Sequence, residues 1–211
     1  MNIADMRTRV RRDLHDEAAA GRRWTDDELD RHISHAVRQL SLSIPREAAV
    51  MLTAGGESGR EVSLASLADL VTVEAVEHPV ELFPPSYQPF SLWAGSLTLL
   101  GDPAPSQGDK VRVYYGRLHT LDAAGTSIPA ALEDLVAVGA SGYAALEWSS
   151  CAINRVNVGG VEVWRQYRTW GQDRLDSFVK GLSAHGSRNR VRPARLYAPS
   201  RPAAGRTQGM G

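Results

Sequence analysis

Two histidines one turn apart, His32 and His35, come nearest to a metal site in this 211-residue chain. On a helix they share a face, and Glu28, four residues before His32, stands where a third ligand would be needed. No HExxH pattern or comparable set accompanies them. Two solvated or interface histidines on a polar helix face are the simpler reading. His15, His78, His119 and His185 fall at element ends or in loops without an evident partner.

The carboxylates offer equally little chemistry. Asp26, Asp27, Glu28 and Asp30 cluster, but capping and compensation of a helix dipole explain them. Glu133 and Asp134 play the same part for a later helix. Ser149 and Ser150 precede Cys151 outside any nucleophile elbow. Gly159-Gly160 opens a helix but lacks the Lys-Ser/Thr of a phosphate loop, so it reads as a turn. Nothing assembles a nucleophile, a base and an electrostatic stabiliser. An enzyme is therefore not expected, and no cofactor or metal is implied. The single cysteine rules out an intramolecular disulfide and a multi-cysteine zinc site, and points to a reducing compartment. The opening MNIADMRTRV has no apolar run of the signal-peptide kind. The longest uncharged helical run, residues 135–146, is 12 residues long, against the roughly 20 needed to span a bilayer.

Helical periodicity positions these residues at both ends of the chain. Ile3, Met6, Val10 and Leu14 form one stripe. Thr25 followed by Glu28 is a capping box, with Trp24 placed to staple onto Leu29, and Leu29, Ile33, Ala36, Val37 and Leu40 trace a buried face up to Pro45. After Pro129 a helix carries Leu132, Val136, Gly139, Tyr143 and Leu146 on one face. Its two glycines, each costing roughly 1 kcal/mol against alanine in a helix, predict close approach of another helix. A last helix over 161–182 aligns Trp164, Tyr167, Leu175, Phe178 and Leu182 as core. Trp170 falls off that stripe and reads as an exposed subunit-interface residue, since tryptophan is enriched at interfaces.

Between the helix pairs the period becomes two. Strands are expected at 61–64, 70–76, 80–83, 90–93, 96–100 and 110–115, with a Gly/Pro-rich loop over 101–109. The expected fold is α+β, mainly α: a four-helix bundle with a small antiparallel β insertion between helices 2 and 3. The expected divisions are 1–46 (helices 1 and 2), 47–125 (β insertion), 126–183 (helices 3 and 4) and 184–211, an extended basic arm.

The formal charge is zero, yet it is divided. Residues 181–211 hold six arginines (Arg188, Arg190, Arg192, Arg195, Arg201, Arg206) and no acid, so residues 1–180 carry 18 basic against 24 acidic groups. The arm lacks periodicity and is expected to order only on a partner. Irregularly spaced arginines interleaved with Leu196, Tyr197, Pro193, Pro199 and Pro202 suit extended docking on a protein, and contact with nucleic-acid phosphate is the other reading.

The segment RWTDDELDRHISHAVRQL (23–40) resembles the Trp–Ser/Thr–Asp–x–Glu–Leu opening of the second helix in tailed-phage head-to-tail adaptor proteins. GDKVRVYYGRLHTLD (108–122), the helix beginning IPAALEDLVAVGASGYAAL, and NRVNVGGVEVWRQYRTWGQDRLDSFVKGL (154–182) are similar to that family's strand, third helix and closing helix. The resemblance spans most of residues 1–182. It implies a structural virion protein at the head-tail connector, assembled in the host cytoplasm into a homo-oligomeric ring, usually of twelve copies. Such a ring sits under the portal, extends the DNA channel, and meets stopper or tail proteins. By the same resemblance Arg188, Arg190, Arg192, Arg195, Leu196, Tyr197 and Arg201 would bind the portal, and an acidic lumen would let DNA pass without sequence-specific binding or sticking. No membrane partner is implied. The alternative is a nucleic-acid-binding accessory protein that uses the arginine arm.

Overall fold

The structure, a computed structural model, describes residues 1–56, 58–153 and 162–189, the last three by backbone alone. It is α+β and mainly α, and it divides into two compact units. The first comprises Met1–Arg46 and Arg117–Ser187, and the second contains Glu47–Gly116.

The helical unit begins with α1 (Ile3–Asp13), whose cap is a reciprocal pair between Asn2 and Asp5. Met6 and Val10 on its stripe are fully buried. Next comes α2 (Asp26–Ser43), started by the expected box: Thr25 N donates to Glu28 Oε2 at 2.7 Å, and Glu28 N donates to Thr25 Oγ1 at 3.2 Å. Trp24 and Leu29 join one core cluster. Between the two helices Arg11 is buried and satisfied on three sides, donating to Asp16 Oδ2 (2.5 Å), the Trp24 carbonyl (3.0 Å) and Asp26 Oδ1 (2.7 Å).

Helix α3 (Ala130–Ala152) is buried on nearly every side through Ala140, Ala144, Ala145 and its glycines. Pro129 is its cap residue. Helix α4 (Val163–Asn189) passes close to it: a Cβ on Gly139 would stand 3.0 Å from the Phe178 ring. The close approach expected from the two glycines is therefore present. Helix α4 continues past residue 182, where the apolar pattern stops, to Asn189. Its extra turns pack by smallness: Gly186 is buried, and a Cβ there would lie 3.0 Å from the Ser43 carbonyl oxygen. An apolar stripe does not mark such a contact, because the residue that packs there has no side chain.

Among the described residues the β unit has six strands in two sheets. They are β1 (Arg46–Thr53), β2 (Glu61–Ser63), β3 (Leu70–Glu77), β4 (Phe90–Trp93), β5 (Ser96–Leu99) and β6 (Lys110–Arg117), ordered β1-β6-β3 and β2-β5-β4. In the second sheet both pairs are antiparallel, with Val62 and Leu92 opposite Leu97. Val111, Val113 and Tyr115 on β6 are buried, as their alternation with Arg112 and Tyr114 requires, and join Val62, Val73, Val76, Leu97 and Leu99 in one core. Two strand assignments change. Residues 80–83 form turns, since Pro79, Pro84 and Pro85 remove ladder donors around them. Strand β1 lies in a run, AAVMLTA, whose small and apolar residues mask the period of two.

Candidate functional site

Each histidine of the metal hypothesis has a different task. His32 is buried, with Nε2 2.6 Å from Glu147 Oε2, at ion-pair distance but outside hydrogen-bond geometry. Burial, above all, pushes its pKa below the ordinary imidazole value. Arg31 bonds the same Glu147, and that contact is the main reason the carboxyl sits below its usual range. His35 is exposed and lies over Tyr143, ring centroids 4.3 Å apart. Glu28 is occupied by Thr25, whose backbone amide chiefly lowers its pKa. Among the described residues no three metal-ligating groups converge.

In the acidic cluster only Glu28 bonds a helix cap, and Asp26 and Asp27 lie in the first turn of α2. Helix α3 has no side-chain cap. Long-range pairs hold several of the others. Arg7 bonds Asp26 (2.9 Å) and Asp30 (2.7 Å), and Arg9 bonds Asp134 (2.5 Å). Ser149 and Ser150 hydroxyls donate to the carbonyls of Leu146 and Glu147, each at 2.7 Å, and Cys151 is exposed beside them. Gly159 and Gly160 lie outside the described residues. No described helix is long and apolar enough to cross a membrane.

His119 does something the sequence did not show. Its backbone N–H donates to Ser41 Oγ (2.9 Å), Nε2 faces the Ile44 carbonyl (3.1 Å), and Nδ1 faces Ser127 Oγ (3.2 Å) and the Ser127 carbonyl (3.1 Å). Nε2–H can donate to the Ile44 carbonyl, while Nδ1 faces both an acceptor, the Ser127 carbonyl, and a hydroxyl that can donate. Burial, above all, holds its pKa below the ordinary imidazole value. An open cleft beside it is lined by Ile33, Val37, Ser41, Leu118 and Leu121, with Arg38 at its rim. Of its polar lining residues Ser41 and His119 are taken up in this latch, while Ser34 and Arg38 are not part of it.

The aromatics of α4 separate. Tyr167 packs on Trp148 (4.4 Å) with the Arg23 guanidinium 5.1 Å from its ring, and Phe178 is fully buried. Trp164 is half-buried but outside the core cluster, with the Arg165 guanidinium 5.2 Å from its ring. Trp170, expected to be exposed, is half-buried against the core and covered by Arg174, 4.9 Å from its ring and paired to Asp13 at 3.2 Å. Less of it is offered to a partner than its position off the stripe suggests.

Accessible apolar surface is concentrated in the β unit. Of nine large apolar residues left exposed among the described ones, six lie there: Met51, Leu82, Phe83, Leu92, Trp93 and Leu100. Phe83 is 98% and Trp93 86% exposed, values a residue reaches only at a projecting tip. Phe83 belongs to a loop closed at its base by the Glu77–Tyr87 bridge and by Gln88, which donates to the His78 carbonyl at 2.9 Å. Trp93 ends β4 at a hairpin turn, where Ala94 and Gly95 both have positive φ. The acidic excess lies in the same stretch. Residues 47–116 carry nine acidic and three basic groups, whereas 1–46 and 117–180 together carry 15 of each. The signals were legible: Leu82-Phe83 before two prolines and Trp93 before Ala-Gly are apolar residues where turns normally place polar ones. The arm residues Arg190, Arg192, Arg195, Leu196, Tyr197 and Arg201 lie outside the described residues, and of Arg188 only the helical backbone is described.

No protein-family model and no curated protein matches the chain. Among solved structures it is similar to components of three assemblies. The first is the neck of an empty gene transfer agent particle computed with C6 symmetry, at 17% identity over 81% of this chain and 88% of that one, with a TM-score of 0.29. The second is the neck of the native particle computed with C12 symmetry, at 17% identity over 80% and 89%, with a TM-score of 0.28. The third is the virion of the native particle, at 18% identity over 81% and 88%, with a TM-score of 0.28.

Proposed function

We propose that this chain is a non-enzymatic structural subunit of a tailed-phage head-to-tail connector. It forms a homo-oligomeric ring, twelve copies by family resemblance, that docks under the portal, extends the DNA channel and joins the capsid to stopper or tail proteins. The observation that carries the reading is the 23–40 segment. Its Trp–Thr–Asp–Asp–Glu–Leu opening resembles the adaptor family's second helix, and every element of that opening has a structural task in α2. The order of two helices, β insertion and two helices supports it.

On this reading the arginine arm carries the portal contact through Arg188, Arg190, Arg192, Arg195, Leu196, Tyr197 and Arg201, and Trp170 borders a neighbouring subunit. Electron microscopy of the purified chain mixed with portal tests it. Rings seated on portal are expected, and portal association is expected to be lost when residues 190–211 are deleted. A chain that forms no ring with portal sinks the reading. The charge of the arm favours one alternative, an accessory protein that grips nucleic acid. DNA binding that falls steeply with salt and disappears on the same deletion would replace the first reading with the second.

A further inference from the structure

The helical unit is electrically balanced. The chain's charge separation is confined to two stretches of matched size and opposite sign: six net negative charges in residues 47–116 and six arginines in residues 188–211. On the β unit the exposed carboxylates Glu61, Asp69 and Glu81 form no ion pair among the described residues, and Glu81 directly precedes the bare Leu82-Phe83 tip. An exposed apolar tip beside such a carboxylate is a surface that a basic segment with an apolar anchor would fit. Its occupant should be extended, basic and anchored by one or two large apolar side chains.

The arm has each of those properties. Its arginines have no acid of their own to neutralise them, three prolines favour an extended chain, and Leu196-Tyr197 supplies the apolar anchor. The 22 residues beyond Asn189 reach up to about 75 Å when extended. Tethering places such a segment at an effective concentration of order millimolar near its own chain, far above that of a second copy in dilute solution. We propose that in the free subunit residues 190–211 dock in cis on the β unit, arginines on its acidic surface and Leu196-Tyr197 on the Leu82-Phe83 loop, so that capture of the arm by another partner uncovers that surface. Only the last clause rests on the connector reading.

Hydrogen exchange on the full chain, without portal, tests the docking. Peptides over residues 79–87 are expected to exchange at least about fivefold faster when salt rises from about 50 to about 500 mM, because screening weakens the charge pairing. The double variant Leu196→Ser/Tyr197→Ser should show the same acceleration at low salt, with amides of α3 unchanged. The reciprocal variant Leu82→Ser/Phe83→Ser should release the arm, read as faster proteolysis after its arginines. Loop exchange indifferent to salt and to the arm variant overturns the proposal. Protection that grows with protein concentration overturns it too, by naming a second copy as the occupant. Portal added to the wild-type chain should speed exchange in the loop. Failure of portal to bind at all would sink the connector reading and leave the cis contact standing.

Discussion

Gly142 of α3 and Gly171 of α4 meet backbone to backbone: a Cβ on either would stand 3.1 Å from the other's carbonyl oxygen. A carbonyl in a helix cannot move aside as a side-chain tip can. Valine at 171 should therefore destabilise the chain by about 1–3 kcal/mol through overpacking, adding to its weaker helix propensity. Urea denaturation of Gly171→Val is expected to show an earlier midpoint. Gly142→Ala should be milder because it adds a single methyl rather than a branched side chain, although that methyl meets the Gly171 carbonyl at 3.1 Å and must displace the flexible Leu175 side chain.

Asp16 neutralises Arg11 in a site where both are nearly inaccessible. Removing the carboxylate leaves a cation without its closest partner. Asp16→Ala is expected to cost about 3–5 kcal/mol, whereas replacing both members by apolar residues of similar size should recover much of that loss. Denaturant midpoints of the single and double variants measure the difference.

Stability should fall with acid in two stages. His32 and His119 are both held below the ordinary imidazole value of 6.5, mainly by burial. Below that value the unfolded chain takes up protons the fold resists, so stability declines as pH drops through 6.5 towards the lower folded values. Asp26, Glu28 and Glu147 act in a more acid range. They are lowered chiefly by Arg11, the Thr25 amide and Arg31, and their contribution is lost as pH falls below about 4. His119→Gln is expected to shrink the first stage to the part due to His32 and leave the second, as read from denaturation midpoints between about pH 7.5 and 3.

Glu77 joins β3 to β6 and to the loop that bears Phe83. Its Oε2 accepts from Tyr114 (2.7 Å) and Arg112 (3.2 Å), and its Oε1 accepts from the Glu81 backbone N–H (3.1 Å). Glu77→Ala strands three donors and should cost about 1–3 kcal/mol. Exchange at Glu81 should accelerate at low and high salt alike, which separates loss of the loop's base from loss of a docked arm.

Capping boxes and long apolar stripes were readable because they are local: Thr25 and Glu28 are three residues apart, and Met6, Val10 and Leu14 mark their own face. The glycines of α3 were readable because a helix carries them at a cost. Relations between distant residues were not. Nothing near His119 in sequence names Ser41 or Ile44, and nothing near His32 names Glu147. The division of the strands into two sheets rests on pairing partners that alternation does not specify. The end of α4 escaped because Gly186 packs by lacking a side chain. At the candidate surfaces, composition marked the arm, while the acidity of the whole body hid that its excess lies in residues 47–116.

His119 holds the point where the chain leaves the helical unit, at Ile44, beside the point where it returns. Whatever is spliced between those points starts and finishes at one clasp that the helices build for themselves. A lineage can exchange, shorten or elaborate the intervening 70 residues as a cassette, since lengthening a loop whose ends are already pinned adds little closure entropy. What the β unit meets can then change while the bundle stays unchanged.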